Sequence, residues 1–534
     1  MDQEQRKLAE ELFFSGPRTT SFAKLLYFGI FDAERVFPYP TPPSGEASRM
    51  QQLLATLDCF LEKEVDPDWI DRNSTIPDHV IAGLGKIGLM GLTIPEKYGG
   101  LGMSQYAYCR AMEHVAARCG ATALMVNAHQ SIGLKALVLY GTEEQKTRWL
   151  PPLARGEKLA AFSLTEPNAG SDVASIETEA VYDPSRKVYR ITGRKQWTTN
   201  GAISGVLTVM AKTLVDTPDG PAKKVTAFLV TPDMPGFRVV AAALEKVGMR
   251  GSKTANLAFD GLEVPASNIL GPPGQGLKVC LTVLDYGRTT FGATCTGAAK
   301  FLLERAVEQA RERYQFGRPL ASFGLVKQKI ANMAALVYAM EAATYLTAGM
   351  IDQSDEDFML EAAILKVFSS DALWSIVYDT MQIFGGRSFF TDRPYERMMR
   401  DARLNMIGEG SNEVMRAFIG GAGMRDPGVQ LEQVLFATRR PFAHTSLLFG
   451  FARQNLARLR TPVVPVRSDL LRPQARMLAA RVRRFGIAVV RVLTKYQEEV
   501  VERQMVLDRI ATTAIALYSA TAVIGRLDHD LNRA

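Results

Sequence analysis

A mainly α-helical protein carrying one small β-domain is what the sequence predicts, and three changes of texture along its 534 residues predict it. Apolar residues recur at three and four from Met50 to about Gly156, as in MQQLLATLDCFLEKEV and YCRAMEHVAARCGATALMV, which is helical spacing. Between about Ala161 and Gly271 the texture changes to β-branched alternation broken by turn residues, as in KVYRITGRKQWTT and KVTAFLVT. From Leu277 to about Phe418 long amphipathic stretches return, enough for a four-helix bundle. The Gly and Pro cluster GGAGMRDPG, from Gly420, breaks that periodicity and reads as a linker. Beyond it SLLFGFARQNLARLR, a Pro-bearing link and two further helical stretches read as an appended helical domain. The expected divisions are an N-terminal extension (1–49), a helical domain (50–160), a middle β-domain (161–272), a four-helix bundle (273–425), a linker with a basic amphipathic helix (426–466) and the appended domain (467–534).

Composition narrows the class. With 47% hydrophobic and 22% charged residues the chain is neither disordered nor fibrous. Its five cysteines (Cys59, Cys109, Cys119, Cys280, Cys295) lack the spacing of a zinc site and read as reduced, structural thiols; no metal is expected. The start, MDQEQRKLAEELFF, has neither the basic opening nor the apolar block of a targeting segment, and no uninterrupted apolar run reaches bilayer-spanning length. The expected location is cytoplasmic, with membrane contact limited to the inner face. Charge is uneven: from Arg439 to Arg491 there are twelve arginines, no lysine and one acid, Asp469, which puts +11 into that window against +7 for the whole chain. A concentrated basic stretch of this kind points to an anionic partner.

Several motifs carry candidate chemistry. Gly83, Gly85 and Gly88 in AGLGKIG match the dinucleotide fingerprint letter for letter, but no strand precedes them, and a glycine-rich helix end is the better reading. AFSLTEPNAGSD places Ser163, Thr165 and Ser171 around a turn that either is ordinary or offers N–H groups to a ring or phosphate. In QWTTNG, Trp197 beside Thr198 and Thr199 is either a core residue or a flat cover for a bound ring. RERYQFGRPL sets Arg313 and Phe316 at a helix end, as a cap or as a pyrophosphate clamp. QIFGG gives Gln382 with Gly385 and Gly386, either a helix stop or a place where backbone approaches a ligand. In NMIGEGSNEV, Glu409 lies between two glycines, and Ser411 is placed to cap the next helix.

In this combination and order, IPEKYGGLG, AFSLTEPNAGSD, QWTTNG, RYQFG, QIFGG and the EG turn resemble the acyl-CoA dehydrogenase family over nearly all of residues 50–420. VFPYP, AHQSIG, YGTEEQK, LDYGR, FGLVKQK and the helical tail resemble its very-long-chain branch, which is dimeric. The resemblance implies the fold of that family, bound FAD, and oxidation of long-chain fatty acyl-CoA to trans-2-enoyl-CoA, with electrons passed to an electron-transfer flavoprotein. It assigns Ser163, Leu164, Thr165, Trp197 and Thr199 to the flavin and Ser171 to its pyrophosphate or the CoA side. Arg313, Gln315, Phe316, Gln382, Gly385 and Gly386 would reach the FAD of a partner subunit, and Ser411 stands where the family has a threonine near the FAD. Glu409 takes the catalytic base; the alternative position used in some relatives is Gly287 here, which cannot serve.

The sequence departs from the family at Gly408, where an aromatic residue usually precedes the base, and at Asn127, which with Ala123 falls at the two small positions that deepen the very-long-chain acyl cavity and whose amide would shorten the cavity or bind a polar group. In the basic tail, Leu447–Arg460 forms an amphipathic face with an arginine rim, expected to meet an anionic membrane surface. Nucleic-acid binding is the second reading of this stretch and a solvated arginine face packing on the dimer the third, and a scaffold or assembly role is the alternative to catalysis.

Overall fold

The computed structural model describes residues 21–218, 220–353, 357–438 and 460–533. The basic segment Leu447–Arg460 lies outside these residues except at its last position. The chain divides into two compact units: Pro42–Val337 with Ser369–Glu409, and the segment ending at Thr41 with Tyr338–Phe368 and everything from Gly410 onward.

The helices, in chain order, are α1 (Phe22–Leu26), α2 (Ala47–Glu64), α3 (Pro67–Asn73), α4 (Asp78–Ile87), α5 (Gln105–Arg118), α6 (Gly120–Asn127), α7 (Lys135–Tyr140) and α8 (Glu143–Ala154). After the sheet come α9 (Gly276–Glu312), α10 (Gly324–Asp352), α11 (Met359–Phe384), α12 (Tyr395–Asn405), α13 (Asn412–Thr438), α14 (Arg472–Tyr496) and α15 (Gln504–Leu531). Starts are capped by the residues that the sequence supplies: Asp66 accepts from the N–H groups of Asp68 and Trp69, Ser104 from Ala107, and Thr142 forms a capping box with Gln145. AGLGKIG is the end of α4, with Gly88 in the left-handed cap, so the dinucleotide reading is excluded by the backbone itself.

The first unit holds the β-domain. Its strands are β1 (Leu159–Ser163), β2 (Glu179–Asp183), β3 (Val188–Thr199), β4 (Ser204–Thr217), β5 (Gly220–Val230), β6 (Phe237–Ala241), β7 (Thr254–Pro265) and β8 (Ile269–Leu270). They form one sheet in the order β6-β7-β3-β2-β4-β5-β8, with β1 added parallel to β4. One core of buried side chains, including Ile191, Leu207, Val209, Phe228, Leu257 and Phe259, fills the sheet's interior. The long α9 runs along α5 so closely that a Cβ at Gly297 would lie 2.0 Å from the Glu113 carbonyl oxygen. A π-helical turn, Ala128–Gly133, links α6 to α7 and is tied to the sheet by His129. Its Nδ1 accepts from the Ala160 N–H at 2.8 Å, and Nε2 reaches the Met90 carbonyl oxygen at 3.1 Å.

In the second unit the tail helices α14 and α15 pack with α13 and the N-terminal segment. Tyr27 donates to the Ile419 carbonyl at 2.6 Å, and Glu361 accepts from the Ala23 N–H at 2.7 Å. The VFPYP motif lands here, with the Tyr39 hydroxyl on the Ala342 carbonyl at 2.7 Å.

Two expectations fail. GGAGMRDPG does not break the chain: α13 runs through it to Thr438. Two of its glycines serve close approach, since a Cβ at Gly423 would lie 2.0 Å from the Tyr27 ring and one at Gly420 2.6 Å from the Leu507 carbonyl. Glycines at a turn and at a contact are indistinguishable in a sequence. Counting uninterrupted apolar runs also understated the helices, because α10 and α15 are both long and apolar enough to cross a bilayer. In each, 61% of the apolar window is buried inside the protein, which is how core helices pass such a test.

The His129 bridge makes a stability prediction. Complete burial lowers its pKa to about 4, so the folded chain holds the ring neutral where the unfolded chain, near 6.5, protonates it. The unfolded state then binds more protons, and stability present above pH 6.5 declines as pH falls toward 4, by on the order of 3 kcal/mol in total. Urea unfolding of the wild type across that range should show this slope, and His129→Gln, less stable at neutral pH, should have lost it.

Candidate active site

The strand β1 ends at Ser163, and the turn that follows is held against β3 by a dense set of bonds. The Ser163 and Thr198 hydroxyls are 3.0 Å apart, the Gln196 N–H donates to the Thr165 carbonyl at 2.9 Å, and the Lys195 ammonium donates to the Leu164 carbonyl at 2.9 Å. Lys195 also meets the Glu166 carboxylate at 2.6 Å with both side chains buried, and Glu166 accepts from the Thr178 N–H at 3.1 Å and from the Glu177 N–H. Burial disfavours the charge on Glu166, yet Lys195 and these donors overcome it and hold the carboxyl below its ordinary range; burial brings the lysine down to about 8. The pair fastens AFSLTEPNAG to KQWTT. Neither residue was singled out in the sequence, where both read as ordinary polar members of a strand and a turn.

This edge presents Leu164, Thr165 and Thr199 half-buried and Ser171 exposed, while the Ser163 side chain faces inward to Thr198. Trp197 is 62% exposed and sits at φ 59°, a left-handed conformation that a bulky residue rarely takes. The register of β3 against β7 shifts between Lys195 and Thr198, and the Trp197 N–H turns to the Asn256 side-chain oxygen at 3.3 Å. The indole is thus held in the open on a strained backbone.

Six of the remaining predicted cofactor residues form two separate places. Arg313 follows α9, and Gln315 and Phe316 lie on a two-stranded hairpin, β9 (Tyr314–Gln315) with β10 (Arg318–Pro319). Its turn residues Phe316 and Gly317 both have positive φ, and Phe316 is 92% exposed. Gln382 ends α11 exposed, and nothing lies within 4 Å of where a Cβ on Gly385 or Gly386 would stand. Among the described residues no hydrogen bond or ion pair joins either place to the β-edge. In the second unit, Ser411 caps α13 as expected, its hydroxyl accepting from the Val414 N–H at 3.4 Å.

Glu409 is also left-handed, at φ 56°, between Gly408 and Gly410. Three features of the first unit hold it. Its carbonyl accepts from the guanidinium Nε of buried Arg288 at 3.2 Å, and Arg288 is neutralised by Asp285 at 2.8 Å. Its carboxylate Oε1 accepts from the Asn127 amide at 3.3 Å. Gly287 makes the room: a Cβ there would lie 2.5 Å from Glu409 Oε2. The LDYGR signal thus carried more than a family likeness, since it supplies the anchor, its counterion and the space.

Beside Asn127 opens a cavity of about 270 Å³, walled by α6, α9, α11 and α12. Ala123, Leu124, Phe291, Leu373 and Val377 give it apolar walls, and Arg397, Asp401 and Asn405 give it a polar side. No cluster of three or more side chains able to hold a metal ion occurs among the described residues.

The sequence matches the acyl-CoA dehydrogenase N-terminal domain over residues 48–157, the middle domain over 161–262 and the C-terminal domain over 274–424. The chain belongs to the acyl-CoA dehydrogenase family. Residues 469–534 further match the ACAD9/ACADV C-terminal domain. The very long-chain specific acyl-CoA dehydrogenase of Mus musculus is 37% identical over 521 residues, covering 96% of this chain and 79% of that protein. An acyl-CoA dehydrogenase complexed with FAD from Bacillus anthracis superposes with TM-score 0.79 at 29% identity, over 95% of this chain and 85% of that one. Butyryl-CoA dehydrogenase from Megasphaera elsdenii gives 0.66 at 34% identity, over 70% and 97%. The acyl-CoA dehydrogenase fold, mainly helical with a small sheet domain and a helical extension, is therefore the fold of this chain.

The buried Lys195–Glu166 pair gives a prediction for the β-edge. Glu166→Gln keeps the shape but strands the lysine, and should cost about 3–5 kcal/mol of stability at pH 7. The cost should be smaller at pH 9, where Lys195 sheds its proton, and the flavin content of the purified variant should fall with the edge. Denaturant unfolding at the two pH values and the flavin-to-protein absorbance ratio check this.

Proposed function

We propose that the protein oxidises long-chain fatty acyl-CoA thioesters to trans-2-enoyl-CoA with FAD, and that Glu409 is the base that removes the α-proton. The observation that carries the reading is the way Glu409 is held: a carboxylate fixed by backbone and side-chain partners, in a strained conformation, against Asn127, which lines a cavity with apolar and polar walls. The fold family and its FAD-containing relative support the cofactor, and the exposed, strained Trp197 edge fits a flat ring. Bound FAD supplies the acceptor for the hydride that leaves the β-carbon.

The α-proton of a thioester is weakly acidic, so its removal needs a positioned base and donors on the carbonyl where charge gathers. The tie from Arg288 sets the direction of the Glu409 backbone, whose N–H is the proposed donor to that carbonyl. Gly287 spares the carboxylate a collision with α9. Leu164, Thr165, Ser171, Trp197 and Thr199, with the backbone at Ser163, are the proposed cofactor contacts of one subunit. Arg313, Gln315, Phe316, Gln382, Gly385, Gly386 and Ser411 are proposed to complete the cofactor site in a homodimer, a role that suits the exposure of Phe316 and the open backbone at Gly385. An electron-transfer flavoprotein is the proposed electron acceptor.

The tail is proposed to hold the enzyme at an anionic membrane surface on the cytoplasmic side. Support comes from the basic sequence Leu447–Arg460 and from α14, whose apolar stripe is buried while Arg472, Arg476, Arg481, Arg484 and Arg491 are exposed on its other side. Each basic residue near such a surface contributes about 1 kcal/mol.

Anaerobic titration with palmitoyl-CoA should bleach the flavin band of the wild type, and Glu409→Gln should bleach about 10²–10⁴-fold more slowly with its flavin content unchanged. Equal rates in the two proteins would remove Glu409 from the role. In flotation assays the protein should rise with phosphatidylserine vesicles and not with phosphatidylcholine, lose this in high salt, and lose most of it in a triple Arg472→Glu, Arg476→Glu, Arg481→Glu variant. Salt-sensitive binding to duplex DNA without vesicle binding would favour the nucleic-acid alternative instead.

A further inference from the structure

We infer that Lys366 is a positioning residue for the base: through the residue that follows Glu409, it fixes the backbone that presents the carboxylate. The inference rests on the dehydrogenase reading of Glu409 and deepens it. Lys366 lies on α11 between Leu365 and Val367, and only 1% of its surface is exposed. A lysine enclosed to this extent persists only where its ammonium is given polar partners. Two of them are in the short stretch that follows the base. Nζ donates to the Gly410 carbonyl at 2.7 Å and to the Asn412 side-chain oxygen at 2.8 Å. Donors spread tetrahedrally on one nitrogen suit two acceptors in different directions, a geometry that a planar guanidinium on a bulkier side chain does not match.

The place of these contacts in the chain gives the lysine its role. Gly410 has φ 93°, and a Cβ on it would lie 2.6 Å from Met415 Cε, so the position favours glycine and carries glycine's freedom with it. A loose joint one peptide bond after the base lets the carboxylate wander unless the chain is also held beyond the joint. The Glu409 carbonyl is held by Arg288, and the next carbonyl along the chain is held by Lys366. With both carbonyls anchored, the torsions on either side of the Gly410 Cα are restrained. Asn412 is the first residue of α13, so the second bond of the ammonium ties the same stretch to a helix start. Ser411, whose hydroxyl caps that helix, stands between the two residues that Lys366 holds. Misplacing a reacting group by about 1 Å costs on the order of 10²-fold in rate, so loss of this hold is expected in the proton-transfer step and not in binding.

The test follows anaerobic bleaching of the flavin by hexadecanoyl-CoA in the FAD-loaded enzyme, expressed per bound flavin, beside calorimetric Kd values for trans-2-hexadecenoyl-CoA. Lys366→Met removes the donors, and Lys366→Arg keeps the charge but changes the geometry; each should bleach about 10²-fold more slowly. Their Kd for the enoyl product should stay within about threefold of the wild type. In a Glu409→Gln background the same substitutions should change the residual rate by less than about threefold, because a residue that aims the base then has nothing to aim. A role confined to packing would instead lower stability and flavin content and slow both backgrounds alike. If Lys366→Met does not fold, Asn412→Ala, which removes one support and leaves the Gly410 bond, should slow bleaching about three- to tenfold, again only with Glu409 present. Wild-type rates per flavin in the lysine variants, or equal losses with and without Glu409, would overturn the inference, and a slow Glu409→Gln would leave the dehydrogenase reading standing in that case. Glu409→Gln bleaching as fast as the wild type would remove the base itself, and the inference with it.

Discussion

The bond from the Arg288 guanidinium to the Glu409 carbonyl, with Asp285 as its counterion, is the constraint on which the candidate site depends. A glutamate between two glycines has wide conformational freedom, and a left-handed φ is one of its less favoured choices. A buried guanidinium on the carbonyl selects that choice. Charge is not left over, because Asp285 lies one helical turn before Arg288 and pairs with it inside α9. Gly287, between them, removes the one side chain that would collide with the carboxylate. Four consecutive residues of one helix thus furnish a counterion, a space and an anchor for a residue more than a hundred positions away.

The β-edge solves a comparable problem by a different route. Trp197 must stand exposed and strained, which a strand alone would not maintain, since extended backbone and inward packing are both more favourable for an indole. The shift of register in β3 and the Asn256 side chain give its N–H a partner outside the regular ladder. The residue two before it, Lys195, is locked into the interior by Glu166. Buried pairs of this kind add little net stability, but separating them is expensive, so they act as a latch on local geometry. What the latch fixes here is the relation of the AFSLTEPNAG turn to the QWTT strand, the two stretches that the family likeness assigns to the flavin.

Much of this could be read from the sequence, and the limits have a common physical origin. Helical spacing and strand alternation place the α, β and α regions because each is a local signal, repeated over many residues. Glu409 with its flanking glycines, the cap at Ser411 and the rejection of AGLGKIG as a nucleotide loop are local too. The partners of Glu409 are not: Asn127 is 282 residues away, and nothing around it in TALMVNAHQ marks its amide as bound for a carboxylate. Lys195 and Glu166 look like solvated charges until the fold buries them. GGAGMRDPG misled for the complementary reason, since glycines that admit Tyr27 and Leu507 to the surface of α13 have the composition of a turn.

The two strained residues also bear on how the site divides its work. Trp197 and Glu409 both sit in left-handed backbone, and each is held there by groups from elsewhere in the chain, Asn256 for one and Arg288 for the other. Strain that is held this way persists whether or not a ligand is present, so binding need not supply the energy to create it. The carboxylate differs from the backbone beneath it, because its Oε1 is held by the amide of Asn127, a residue that also lines the cavity. The carboxylate is therefore oriented by one side chain, while the backbone that carries it is fixed by Arg288. Backbone direction and carboxylate orientation are thereby set by different elements of the fold, Arg288 on α9 for the one and Asn127 on α6 for the other.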